Sequence, residues 1–143
     1  MIYQEKPKNF DASFQVSAVY CFFDGKMLIL KRANHKKSEP GKWGVPAGKI
    51  EHGEDKVSCA MREMKEETDV DLSPEKLSFV KEVHVVWDEA HFSFNIFRYE
   101  FDELPEISIN YESSEYQWIS SDEIDLYDLV RDERECIVFA NGY

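Results

Sequence analysis

Residues 48–70 read GKIEHGEDKVSCAMREMKEETDV, and the reading of the fold starts from this stretch. Its second half predicts an amphipathic helix over residues 55–69. Val57, Ala60, Met61, Met64 and Thr68 recur at the three- and four-residue spacing that lines one face, and Asp55 is a suitable N-cap because its side chain can accept an otherwise unpaired backbone N–H. The acids are oddly placed. Glu63, Glu66 and Glu67 stand at i, i+3 and i+4, within an arc of about 100° on the helix surface. Like charges at that spacing cost roughly 0.2–0.5 kcal/mol per pair, and acids in the last turn oppose the helix dipole by roughly 0.3–1 kcal/mol each. Only Arg62, four residues before Glu66, is positioned to relieve the crowding. A cation lying over the stripe would turn repulsion into attraction. Mg²⁺ and Mn²⁺ prefer oxygen ligands and retain several waters, so two or three carboxylates together with substrate phosphate oxygens would suit either ion. The competing reading is a solvated acidic face on an acidic protein.

Upstream, residues 14–23 are apolar and rich in β-formers, Asp24-Gly25 makes a turn, and residues 26–30 continue apolar, which predicts a hairpin. Residues 33–42 read as loop, and Trp43-Gly44-Val45-Pro46-Ala47-Gly48 as a tight segment. Downstream, residues 77–87 and 91–101 predict two antiparallel strands. In the second, Phe92, Phe94 and Ile96 share one face and Phe97, Tyr99 and Phe101 the other, which predicts a bulge or burial on both faces. Residues 116–119 form a short strand. Ser120 and Glu123 make a capping box that opens helical sequence running, with a break near Asp128, to Ala140. Strands, helix, strands, helix is an α+β or layered αβα order. At 143 residues, 43% of them hydrophobic, with 10 Phe, 7 Tyr and 3 Trp, the chain is the size of a single domain, residues 1–143, with ample material for a core.

Composition narrows the partners. The longest apolar run, residues 18–23, is far short of the roughly 20 residues that span a bilayer, and residues 1–10 lack an apolar leader, so a soluble, cytoplasmic protein with no membrane partner is expected. Cys21, Cys59 and Cys136 are scattered and form no CxxC pair, which fits a reducing compartment. A net charge of −12 repels a polyanion and argues against a nucleic-acid polymer as partner. The cations are nevertheless concentrated: Lys31, Arg32, Lys36, Lys37, Lys42 and Lys49 place six of the 17 Lys and Arg within residues 31–49, against the single acid Glu39. His35, His52, His84 and His91 show no metal-binding spacing and read as surface or sheet residues.

Gly48, five residues, Glu54, seven residues, Arg62-Glu63-Met64, one residue, Glu66-Glu67, and finally Val70 together resemble the Nudix box, GX5EX7REUXEEXGU. Six of its seven fixed residues are present, as are both apolar positions. The late glycine is Asp69 here, at a helix end where a left-handed residue is common and which Asp tolerates better than most. The frequent Pro-Gly-Gly before the box is Pro46-Ala47-Gly48. Weaker similarity runs from residues 26–32 through Trp43 and Pro46 to residues 115–118, most of a Nudix domain.

The resemblance implies the Nudix fold, an αβα sandwich with a mixed central sheet. It also implies a hydrolase that uses Mg²⁺ or Mn²⁺ to cleave a diphosphate linkage in a nucleoside diphosphate bonded to another group. Carried over, Glu63 and Glu67 resemble the main metal ligands, Glu66 a third ligand or a partner behind them, and the Gly48 carbonyl a further ligand. Glu54 and Arg62 resemble the pair that braces the loop against the helix. Arg32 resembles a phosphate-contacting arginine of some members, with Lys36, Lys37 and Lys49 as further cationic candidates. Trp43 and Trp87 either stack on a nucleobase or fill the core. The general base is Glu63, Glu112 or Glu115, since members place it differently.

Residue types that mark some subfamilies are missing. The Pro of ADP-ribose hydrolases, roughly 15 residues beyond the box, falls at Val85 and Val86, and the Tyr of diadenosine polyphosphate hydrolases falls near Trp87 and Asp88. The NADH and coenzyme A signatures are also missing. A nucleoside triphosphate pyrophosphohydrolase, releasing the monophosphate and pyrophosphate, is therefore the leading expectation. The alternatives are a nucleotide-sugar hydrolase, a non-catalytic nucleotide-binding Nudix domain and an acidic interaction domain without metal; a homodimer is compatible with each.

Overall fold

A computed structural model describes residues 1–142. Its framework is one mixed sheet built from β1 (Ile2–Tyr3), β2 (Phe14–Phe23), β3 (Lys26–Arg32), β4 (Trp43–Gly44), β5 (Ala47–Lys49), β6 (Ser78–Val86), β7 (His91–Glu100) and β8 (Ser113–Ile119). The strand order is β1-β6-β7-β2-β3-β4, with β5 also pairing to β2 and β8 to β3. β2 and β7 run parallel from Phe14 opposite Phe92 to Phe22 opposite Glu100, and the remaining pairs are antiparallel. Helices α1 (Lys56–Thr68) and α2 (Glu133–Ala140) cover the two faces. On one face Ala18, Tyr20, Met27, Ile29, Phe92 and Ile96 pack with Cys136, Ile137 and Ala140 of α2. On the other, Val19, Cys21, Leu28, Leu30, Phe97 and Tyr99 pack with Ala60 and Met64 of α1. Burial on both sides is why β2, β3 and β7 carry nearly continuous apolar runs. Three layers result, the αβα arrangement that the sequence predicts. Among the described residues no helix is long and apolar enough to cross a membrane.

The predicted hairpin forms, but β3 leaves β2 after only two pairs, Phe22 with Met27 and Phe23 with Lys26. It then pairs with β8 from Met27 opposite Ile119 onward, while β5 takes the β2 edge at Val16, Ser17 and Ala18. That divergence leaves space between β2 and β3 for the cavity described below.

Two expectations are corrected in detail, and a third is decided between its alternatives. The second long strand shows burial on both faces rather than a bulge: Phe92, Phe94 and Ile96 and then Phe97 and Tyr99 follow one unbroken alternation that feeds both cores, and the register irregularity lies in β6, between Phe79 and Lys81. In α1, Ala60, Met64 and Thr68 are buried as predicted, but Val57 is 37% exposed, and the buried face extends to Cys59, Glu63 and Glu67. The cause is β5, which packs against that flank of the helix. Last, the capping box of Ser120 and Glu123 forms but opens a short 3-10 helix, Ser121–Leu126. The next residues run extended because their backbone pairs with Trp43, which donates to the Asp128 carbonyl (2.9 Å) and accepts from the Val130 N–H (2.9 Å). α2 starts only after Asp132, whose φ is +65°.

At its ends α1 matches expectation. The Asp55 carboxylate accepts the Ser58 N–H at 2.7 Å. Asp69 takes the left-handed conformation (φ 61°, ψ 28°) and its N–H reaches the Lys65 carbonyl, so Asp performs the cap that the motif ordinarily assigns to Gly.

Candidate active site

A cavity of about 580 Å³ opens where β2, β3, β5 and α1 meet, within the size range of small-molecule sites. Its acidic side is formed by Glu63 and Glu67, one helical turn apart on α1. Both carboxyls are buried. Glu67 accepts the Ala47 N–H at 3.1 Å, and Glu63 accepts from Arg62 Nη1 at 2.8 Å. Burial first, then the hydrogen bond and charge of Glu63 and the charge of Glu112, push the Glu67 carboxyl well above the usual carboxylate range. Burial also raises Glu63, while Glu67 and Arg62 oppose that rise. Two acids held together in a low-dielectric wall share a proton unless a cation lies between them.

Gly48 makes the pocket for Glu63. A β-carbon on Gly48 would lie 2.0 Å from Glu63 Cδ and Oε1, so only glycine admits the carboxyl at this point of β5. The Gly48 carbonyl accepts the Cys59 thiol at 3.5 Å. Arg62 braces the assembly. It forms a bidentate pair with Glu54, Nε to Oε2 at 2.7 Å and Nη2 to Oε1 at 2.9 Å, and Nη2 also reaches the Lys49 carbonyl at 3.1 Å. Arg62, assisted by the Glu51 N–H, holds the Glu54 carboxyl down at about 2. The loop between β5 and α1 is thus clamped to the helix that carries the acids.

Cations and a third acid complete this side. Arg32, Lys36 and Lys49 all line the cavity. Lys36 Nζ pairs with Glu112 at 3.1 Å. Burial alone would raise Glu112, but hydrogen bonds from Lys36 and Asn110 keep it below the usual range, so it is an ionised acceptor beside Glu67. The opposite wall is aromatic. Phe14 stacks on Phe92 at 5.0 Å and Trp87 meets Phe92 edge-on at 5.1 Å, with Phe94, Val45, Val130 and Glu133 nearby in the lining.

Of the residues picked out in the sequence, the fold brings Gly48, Glu63, Glu67, Arg32 and Lys49 to this cavity, and sets Glu54 and Arg62 behind them. Four do not join them. Glu66 is exposed and faces Arg62 at 3.3 Å, because β5 covers the other flank of α1. Glu115 is exposed on β8 and pairs with Lys31 at 3.4 Å, outside the described cavity lining, whereas Glu112, three residues earlier, lies in it. Trp43 is buried, edge-on to Tyr127 at 5.1 Å, so its ring belongs to the core and Trp87 is the tryptophan in the wall. Lys37 is exposed and outside the described lining. Sequence reasoning missed Phe14, Phe92, Phe94 and Glu133. A signal existed for the last: Glu133 occupies the first position of the buried stripe Glu133, Cys136, Ile137, Ala140, where an apolar residue belongs.

The donors suit a hard divalent cation. Glu63, Glu67 and the Gly48 carbonyl offer oxygen only, and both carboxyls are pushed above the usual carboxylate range, by burial first, which a nearby cation would offset. Among the described residues no three His, Cys, Asp or Glu side chains converge into a metal-binding group.

A family model described as NUDIX domain matches residues 13–138. Nudix hydrolase 5 of Arabidopsis thaliana is 34% identical over 82 residues, 57% of this chain and 27% of that protein. Nucleoside triphosphatase NudI of Salmonella agona is 29% identical over 114 residues, 74% of this chain and 81% of that protein. The chain thus spans about a quarter of the first relative and most of the second. Among solved structures, the NUDIX domain of Shewanella oneidensis NrtR complexed with ADP ribose superposes with a TM-score of 0.78 at 20% identity, over 96% of this chain and 92% of that one.

Proposed function

As the chain belongs to the Nudix family, we propose that it is a divalent-metal-dependent hydrolase of a nucleoside diphosphate linked to another group, acting on a nucleoside triphosphate and releasing the monophosphate and pyrophosphate. The observation that carries the reading is the buried Glu63 and Glu67 pair facing an aromatic-walled cavity rimmed by Arg32, Lys36 and Lys49. The resemblance to a nucleoside triphosphatase over 81% of that protein supports the substrate class.

Each part has a task. Glu63, Glu67 and the Gly48 carbonyl would hold Mg²⁺ or Mn²⁺. When bound, the ion neutralises phosphate charge and lowers the pKa of water. Arg32, Lys36 and Lys49 attract and orient the phosphates in a chain whose net charge of −12 would otherwise repel them. Glu112, ionised by Lys36, is the acceptor for the proton of the attacking water. Phe14, stacked on Phe92, and Trp87, edge-on to it, give the base an aromatic wall. Glu54 and Arg62 keep loop and helix in register, and Glu66 tunes Arg62.

The test is incubation with nucleoside triphosphates and nucleotide sugars, with and without Mg²⁺, and identification of products by phosphorus NMR. Mg²⁺-dependent release of pyrophosphate supports the reading. Cleavage of nucleotide sugars alone would move the assignment to that class, and binding without turnover would leave a nucleotide-binding domain.

A further inference from the structure

Glu133 is a group that the hydrolytic chemistry does not use. It is the first residue of α2 and 6% exposed, yet it lies in the cavity wall, and its Oε1 has no hydrogen-bond partner. The hydroxyl of Tyr20, from β2, is also buried and bears on the same carboxyl from the core side. Leaving a carboxyl oxygen so is costly to a fold, and the cavity, which Glu133 lines and Tyr20 does not, is the side from which a further partner can arrive. Phosphate cannot be that partner, because a carboxyl repels it. A metal ion is a poor one, because the acids that meet each other, Glu63 and Glu67, are on α1 and do not perturb Glu133. The neighbours point to a flat ligand. Trp87 in the aromatic wall donates its Nε1–H to Asp132 at 2.8 Å, so an indole edge is fastened to the residue just before Glu133, and the ring and the carboxyl line the same cavity.

Resting on the nucleotide reading of this cavity, we propose that Glu133 reads the base, accepting the paired ring N–H and exocyclic amino hydrogens of a guanine-type edge. A carboxylate offers two acceptors side by side, which match two adjacent donors. Adenine and cytosine present one donor beside one acceptor, and so leave one carboxylate oxygen facing a lone pair. Sites that bury a polar group against a particular edge discriminate strongly, since the wrong ligand leaves that group unpaired. Burial pushes Glu133 up to about 7, with the Tyr20 hydroxyl opposing, so the ionised form prevails at pH 8.

The experiment is calorimetric titration of the whole chain with guanine, hypoxanthine and adenine nucleoside triphosphates at pH 8 with Ca²⁺, alongside turnover with Mg²⁺, for wild type and Glu133→Gln. Wild type should bind guanine at least tenfold more tightly than hypoxanthine, which lacks the exocyclic amino group, and than adenine. Glutamine replaces one acceptor by a donor and matches adenine instead, so the guanine-to-adenine ratio should fall at least tenfold, through KM where turnover is read. Equal affinity of wild type for guanine and hypoxanthine, or an unchanged ratio in the variant, overturns the inference even if nucleotides are hydrolysed. Base-selective binding without turnover would sustain it and sink only the catalytic reading.

Discussion

The α-carbon of Gly48 and the carboxyl of Glu63 are packed so closely that a methyl group on the glycine would sit 2.0 Å from Glu63 Cδ. The first position of the box is therefore fixed by the space that Glu63 requires, not by backbone freedom. Gly48→Ala should fold, since β5 can carry any residue, but expel Glu63 from its place. Turnover should drop at least tenfold and the rise in Tm with millimolar Mn²⁺ should shrink. Wild-type turnover in this variant would show that the position of Glu63 is unimportant.

Glu67→Gln removes one of two acids that burial already disfavours as charged groups. The apo protein should melt no lower than wild type, while turnover falls on the order of a hundredfold or more, because the cation loses a charged ligand. A variant that is folded and fully active removes Glu67 from the ligand set.

Arg62 serves Glu54, Glu63, Glu66 and the Lys49 carbonyl at once. Arg62→Ala should cost on the order of 1–3 kcal/mol in urea unfolding, the scale of charge-assisted hydrogen bonds. Arg62→Lys should recover only part of it, since an ammonium cannot make the bidentate contact. Full recovery by lysine would mean that charge alone suffices.

Glu133 should make stability fall with rising pH. Its folded carboxyl titrates at about 7, above an unfolded value of about 4.3, so the unfolded chain ionises first. Folding is unpenalised below about pH 4 and loses stability as pH rises towards 7, reaching a penalty of about 4 kcal/mol at pH 8. Tyr20 and Cys136, which face it, are pushed up by burial and stay protonated throughout. Glu133→Gln should therefore match wild-type stability at pH 4 and exceed it at pH 8. An equal difference at both pH values would contradict the buried, ionisable state.

Much of this was legible in the sequence, and the reasons differ by residue. Spacing alone placed Glu63 and Glu67 on one face, found the Asp55 cap and gave the strand and helix order. The same spacing could not say whether Glu66 joins them or stands behind them against Arg62, because only tertiary packing tells which flank of α1 is covered by β5. Glu115 and Glu112 were indistinguishable for a like reason: the register of β8 decides which acid turns towards Lys36 and which towards Lys31. Trp43 fell to the core because its backbone, paired with residues 128–130, holds the ring against Tyr127. The aromatic wall draws Phe14 and Phe92 together across 78 residues of sequence, a proximity that no local pattern encodes.

The central claim is that Glu63 and Glu67 hold a divalent cation against the phosphates of a nucleotide. Crystals grown with Mn²⁺ and a non-hydrolysable nucleoside triphosphate analogue, measured at the manganese absorption edge, test it directly. An anomalous peak in contact with both carboxylates, the Gly48 carbonyl and the analogue's phosphates is the predicted result. A well-occupied analogue with manganese bound away from both glutamates would contradict the account.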